Sequence, residues 1–325
     1  PPSPGIGRAG WAKRVSLSLG GGWRGWARRG NVGGVEEASM TLPDWVNKEE
    51  YPFEPAEFEL PVGTMRYVDE GSGDPLVMVH GNPYWSFEYR GLIRRFRDSH
   101  RCIAPDHLGF GLSDKPRGWD YLPEQHAANL ESLLESLDLS NISMVVNDWG
   151  GPIGLSYAIN HPERVKNVVI TNTWLWSVAN DRYYRAFSGF VGGPIGRFLI
   201  RRFNFFATTI VRSVFGDKSR LTPEIHRHIT TPLAEPEDRR GSWVFPRRII
   251  GSSDWLSDLW SKREILWGKV NLIAWGMKDI AFREKELERW EAAFPEARVE
   301  RYPEVGHFVA EENPDGLAEA IARLL

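Results

Sequence analysis

The sequence predicts an α/β fold: a mostly parallel, eight-stranded sheet flanked by helices and interrupted once by a helical insertion. Three observations predict it. Short continuous apolar runs recur along the chain, as in strands buried on both faces. Segments with apolar residues at helical spacing lie between them. The alternation breaks once, at about residues 174–260, where aromatics, arginines and prolines crowd together and no strand pattern fits.

Residues 58–60 and 65–68 read as an antiparallel pair about a turn at Gly63. Residues 76–80, 101–105, 142–146 and 168–170 are the next four strands, and 272–275 and 298–302 complete the set. Residues 124–137 place Leu130, Leu133, Leu134 and Leu137 on one helical face. Residues 152–160, 285–294 and 316–325 are further helices, and 181–190 and 194–206 are helix-like pieces of the insertion. The expected division is therefore a main domain of residues 40–173 and 261–325, with 174–260 inserted after the sixth strand. Such an insertion can cover the carboxyl ends of the strands, where open α/β sheets bind ligands.

Composition narrows the function classes. The chain has 325 residues, 42% of them apolar and 12% aromatic, which excludes wholesale disorder. Forty basic residues stand against 43 acidic ones, a net charge of -3. That balance gives no general pull toward nucleic acid or anionic membrane, and neither is expected as a partner. No apolar run is long and unbroken enough to span a bilayer. The single cysteine, Cys102, cannot form an intrachain disulfide or a multi-cysteine metal site, and it suits a reducing, cytoplasmic setting. Residues 1–39 are basic and glycine-rich without a continuous apolar core, and are expected to be a flexible or non-native tail.

The strongest local signal is Val145-Val146-Asn147-Asp148-Trp149-Gly150-Gly151: a strand end, one reactive residue, two glycines and a helix. This is the context of a nucleophile elbow, with a carboxylate where a serine often stands. A carboxylate is ionised at neutral pH and needs no base to attack an sp³ carbon. The competing reading makes Asp148 a helix cap. His80-Gly81-Asn82-Pro83 follows the third strand and can supply an oxyanion-hole N–H, or be a plain turn. Asp106 and His107, in the turn after the fourth strand, read as structural. Asp279 and His307 each lie just past a strand end. Singly, either would be structural, but the order Asp148, Asp279, His307 is nucleophile, acid, base.

With these motifs in place, the chain resembles the haloalkane dehalogenases of the α/β-hydrolase fold from about residue 50 onward. HGNP, NDWGG, GMKD and GHF carry the resemblance. It implies Asp148 as nucleophile, His307 as base and Asp279 as the acid orienting it. It implies Asn82 and Trp149 as the halide-binding pair, their backbone N–H groups as the oxyanion hole, and the insertion as a cap. Residues 171–176 lack the acid that another branch carries after the sixth strand, which points to the Asp-His-Asp branch. Asn147 departs from the Gln or His often found before the nucleophile.

The resemblance also implies a small halogenated hydrocarbon as substrate, halide as product, no metal or organic cofactor, and a homo-oligomer. The alternatives are an epoxide hydrolase of the same fold and a non-catalytic small-molecule receptor. Epoxide hydrolases use paired insertion tyrosines; Tyr183 and Tyr184 are adjacent in sequence, which argues against both aiming at one atom. A conventional esterase lacks support, because no G-x-S-x-G is present.

Overall fold

The eight strands predicted from apolar runs pair in the order β1-β2-β4-β3-β5-β6-β7-β8. The computed structural model describes residues 42–325, so the reading of 1–39 lies outside the described residues. The strands are β1 (Ala56–Leu60), β2 (Gly63–Glu70), β3 (Pro75–Val79), β4 (Arg101–Pro105), β5 (Ile142–Asn147), β6 (Val165–Thr171), β7 (Val270–Gly276) and β8 (Arg298–Tyr302). β2 is antiparallel to β1 and β4, and every other pair is parallel.

Helices before β6 are α1 (Arg90–Phe96), α2 (Pro123–Ser136) and α3 (Gly150–Asn160). The stretch between β6 and β7 holds α4 (Arg182–Val191), α5 (Pro194–Phe203), α6 (Val211–Val214), α7 (Pro223–Thr230), α8 (Arg240–Gly251) and α9 (Ser253–Ser261), with no strand. After β7 come α10 (Glu284–Ala293), α11 (Val309–Glu312) and α12 (Pro314–Ala322). The short α1 and α11 were not apparent in the sequence. α1 is basic on its outer face and α11 is a single turn, so neither shows a sustained helical period.

Period two divides the core between the two faces of the sheet. Val77 and Val79 of β3 point into one apolar cluster with Met144 and Val146 of β5. Leu76 and Met78 point into the other with Val145. Helices α2, α3 and α10 cover the first face, and α1 and α12 the second. All of β3 and β5 is buried, which is why both read as unbroken apolar runs. The edge strand β1 instead alternates charged and apolar residues, and the edge strand β8 carries three charged residues in five, which discourages pairing with another sheet.

Candidate active site

β5 ends at Asn147, and Asp148 stands on the turn into α3 with φ of 49°. A left-handed conformation at a non-glycine residue persists only where its surroundings impose it. Close packing imposes it here. A Cβ on Gly150 would lie 2.0 Å from Val79 O, and one on Gly151 would lie 1.9 Å from Thr173 Oγ1. The glycines let α3 start against the strand ends. The Asp148 N–H donates to Asn172 O at 3.0 Å, and Thr173 Oγ1 donates to Asp148 O.

The Asp148 side chain does not cap α3, whose N-cap is Trp149 with no side-chain capping bond. Its Oδ1 accepts from the Asn82 N–H at 2.8 Å. The Asn82 backbone donor named from the sequence therefore meets Asp148, and the Trp149 N–H is the next along the chain. Burial raises the Asp148 carboxyl above its usual range, while the His307 cation and these two N–H groups hold it down.

His307 follows β8 and is tied by its N–H to Val214 O of α6 at 2.9 Å. Its Nδ1 lies 2.8 Å from Asp279 Oδ2, and its Nε2 lies 3.7 Å from Asp148 Oδ2. Phe282 stacks on the imidazole at a centroid distance of 5.6 Å. Burial opposes the imidazolium, but the Asp279 charge, its hydrogen bond to His307, and the Asp148 and Glu88 carboxyls outweigh burial and push His307 up to about 9. Asp279 itself is clamped: Oδ1 accepts from Ala281 N–H at 2.6 Å and Oδ2 from Asn172 Nδ2 at 2.9 Å.

These groups open onto a cavity of about 250 Å³. Its polar wall is Asn82, Asp148, Trp149 and His307; much of the rest is apolar, including Phe206 and Val211. Neither the Asn82 side-chain amide nor the Trp149 indole N–H has a hydrogen-bond partner among the described residues. Tyr183 and Tyr184 both line the cavity, but their hydroxyls donate to Ile280 O at 2.7 Å and Ala281 O at 2.9 Å.

Asp106 and His107 brace this architecture. Asp106 accepts from Ser86 N–H at 2.7 Å and from Leu112 N–H at 2.8 Å, and His107 N–H donates to His80 Nε2 at 3.0 Å. Two neighbours escaped the sequence reading. Asn172 had attracted notice only as part of a stretch without an acid, yet it holds Asp279. Glu88 is 1% exposed, its two carboxyl oxygens lack partners, and burial pushes it well above the carboxylate range. Nothing in the Ser86–Tyr89 turn signals a buried acid. Among the described residues, Glu131, Glu135 and His161 form one group spaced to hold a cation, but none of them lines the cavity.

The family described as alpha/beta hydrolase fold matches residues 74–314. Haloalkane dehalogenase 2 of Mycobacterium tuberculosis is 38% identical over 275 residues, covering 83% of this chain and 94% of that protein. The chain belongs to the haloalkane dehalogenases of the α/β-hydrolase fold. A cis-3-alkyl-4-alkyloxetan-2-one decarboxylase of Shewanella oneidensis is 36% identical over 261 residues, covering 77% of this chain and 81% of its own length. The solved haloalkane dehalogenase DatA of Agrobacterium tumefaciens C58 superposes with a TM-score of 0.74 at 24% identity, over 83% of this chain and 95% of that one. That likeness establishes the shared fold. As a haloalkane dehalogenase by family, the chain presents a carboxylate, a histidine and two unspent N–H donors to one cavity.

Proposed function

We propose that the chain hydrolyses haloalkanes through a covalent ester on Asp148. The observation that carries this reading is the pair of unspent donors, Asn82 Nδ2 and Trp149 Nε1, lining the cavity that Asp148 faces. In-line attack by an Asp148 oxygen forms a carbon–oxygen bond and breaks the carbon–halogen bond, and the electron pair leaves with the halide. A halide shielded from water needs N–H donors, and these two supply them. His307 Nε2 then takes a proton from water, whose oxygen attacks the ester carbonyl. Asp279 fixes the tautomer through Nδ1 and stabilises the cation. The Asn82 and Trp149 backbone N–H groups receive the oxyanion. Collapse breaks the bond to the alkoxide, which takes the proton from His307 and leaves as alcohol, and loss of the remaining hydroxyl proton to solvent restores the carboxylate.

The segment 174–260 acts in this reading as a cap, contributing apolar wall to the cavity. The buried Cys102 fits the cytoplasmic setting proposed for the enzyme. Every group in the scheme comes from one chain, so the mechanism does not call on a second copy.

The decarboxylase relatives favour a second reading at the same site. An oxetan-2-one ring also offers an sp³ carbon bearing an oxygen leaving group to Asp148. Opening there leaves a carboxylate that can depart as CO₂, giving an alkene and returning the electron pair to Asp148. An epoxide hydrolase is less well supported, because the hydroxyls of Tyr183 and Tyr184 are already given to carbonyls. Halide release from brominated and iodinated alkanes separates these readings, with Asp148→Ala as control. The proposal expects release that vanishes in the control. Loss of CO₂ from an alkyl oxetanone without any halide release would replace it with the second reading.

A further inference from the structure

The balanced total charge hides a strongly biased surface. Residues 182–216 contain Arg182, Arg185, Arg197, Arg201, Arg202 and Arg212 and no Asp or Glu. α5, within this stretch, is turned inside out. Its inner face buries Gly196 and Ile200, while Ile195 is 64% exposed, Phe198 61% and Phe203 56%. Phe190, near the end of α4, adds a further apolar side chain at 50% exposure. Such a face costs solvation unless something covers it.

We propose that α5 and the end of α4 dock this protein on the surface of an anionic phospholipid bilayer. A surface helix of this kind sinks phenyl and aliphatic groups to the headgroup boundary and keeps arginines among the phosphates. Charge complementarity selects this occupant. Of the cations beside the face, Arg201 is paired with Glu237, but Arg197, Arg202 and Arg247 have no carboxylate partner among the described residues. Arg197 lies over Trp243 and Arg202 over Phe203, which sets both guanidinium groups beside apolar surface. A two-fold contact between copies would set arginines against arginines. A nucleic acid would pair the arginines and leave Ile195 and Phe190 in water. No helix among the described residues is long and apolar enough to cross a membrane, so the contact is peripheral.

The face adjoins the cavity. Phe187 of α4 lines it, and Phe190 stands one turn further along on the outside. Tyr183 and Ile280, both partly exposed, also line the cavity. Apolar substrates concentrate in lipid, and docking through this face places the cavity beside that reservoir.

Flotation of the full chain with phosphatidylglycerol vesicles, and separately with phosphatidylcholine vesicles, tests the proposal. The expected result is binding at least about tenfold stronger to phosphatidylglycerol. The double variant Phe198→Ser, Phe203→Ser should lose that binding by a further tenfold or more, with halide release in solution unchanged. Arg197→Gln with Arg202→Gln should weaken the preference for anionic lipid. Absence of binding to both vesicle types overturns the proposal. So does binding that survives in the phenylalanine variant, since it would arise elsewhere on the chain. A dimer in sedimentation that the same variant dissolves also overturns it, in favour of a second copy on this face. None of these outcomes bears on the reading of the catalytic cavity.

Discussion

Asn172 Nδ2 donates to Asp279 Oδ2 at 2.9 Å, and that same oxygen receives His307 Nδ1 at 2.8 Å. Asn172 also bridges to β7, donating to Gly276 O at 3.1 Å and accepting from Gly276 N–H at 2.8 Å. It thus fixes both the acid and the strand end that carries it. A hydrogen bond to a charged group contributes about 1.5–3 kcal/mol. Asn172→Ala should therefore slow ester hydrolysis roughly ten- to hundredfold while halide release in the first turnover falls less. Rapid-quench kinetics resolves the two steps. Equal losses in both would assign Asn172 a purely structural role.

Asn82→Ala removes the proposed halide donor and keeps the backbone N–H that binds Asp148. The expected cost is about 2.7–4 kcal/mol of transition-state stabilisation, confined to carbon–halogen cleavage. Single-turnover halide release measures it. Thermal unfolding should change little, because the amide has no partner among the described residues to lose. A variant that cleaves as fast as the parent would remove Asn82 from the halide site.

The two steps should differ in pH dependence. His307 is pushed up to about 9 by Asp279, Asp148 and Glu88 acting against burial. Esterification abolishes the Asp148 charge, so His307 titrates lower in the intermediate. Only neutral imidazole accepts a proton, so ester hydrolysis should accelerate with rising pH and level off above that lowered pKa. Cleavage of the halide bond needs ionised Asp148, whose carboxyl is raised by burial. That step should weaken on the acid side. A hydrolysis rate that falls as the pH rises, or that shows no decline at any acid pH, would contradict the role of His307.

Gly81 is constrained by Asp148. A Cβ there would lie 2.3 Å from both Asp148 Cβ and Asp148 Oδ1. Gly81→Ala must displace the carboxylate from its line of attack. Displacement by about 1 Å costs on the order of a hundredfold in rate. Turnover in a variant that keeps its circular dichroism spectrum checks this, and near-parental activity would show that the contact is relieved elsewhere.

What the sequence made legible follows from burial. β3 and β5 are covered on both faces, so their residues read as apolar runs, and β4 and β8 begin and end where the pattern placed them. Strand order was not legible, because crossovers leave no local trace. Asp148, His307 and Asp279 could be found because each follows a strand end. Asn172 follows β6 in the same way but is neither acid nor base, and its partner lies 107 residues away. The aromatics between residues 174 and 260 divide three ways. Trp176 and Phe205 pack inside, Phe187 and Phe206 line the cavity, and Phe190, Phe198 and Phe203 face outward. Helical period alone does not say which face of α5 meets the core, since its small Gly196 marks the inner side.

The central claim is that a carbon–oxygen bond forms at Asp148 and that His307 is needed only to break it. The most direct measurement is intact-protein and peptide mass spectrometry of His307→Gln after exposure to a bromoalkane. His307→Gln should yield one equivalent of halide, no second turnover, and an alkyl mass increase mapping to Asp148. A folded variant that carries no alkyl group, or carries it on another residue, would contradict it.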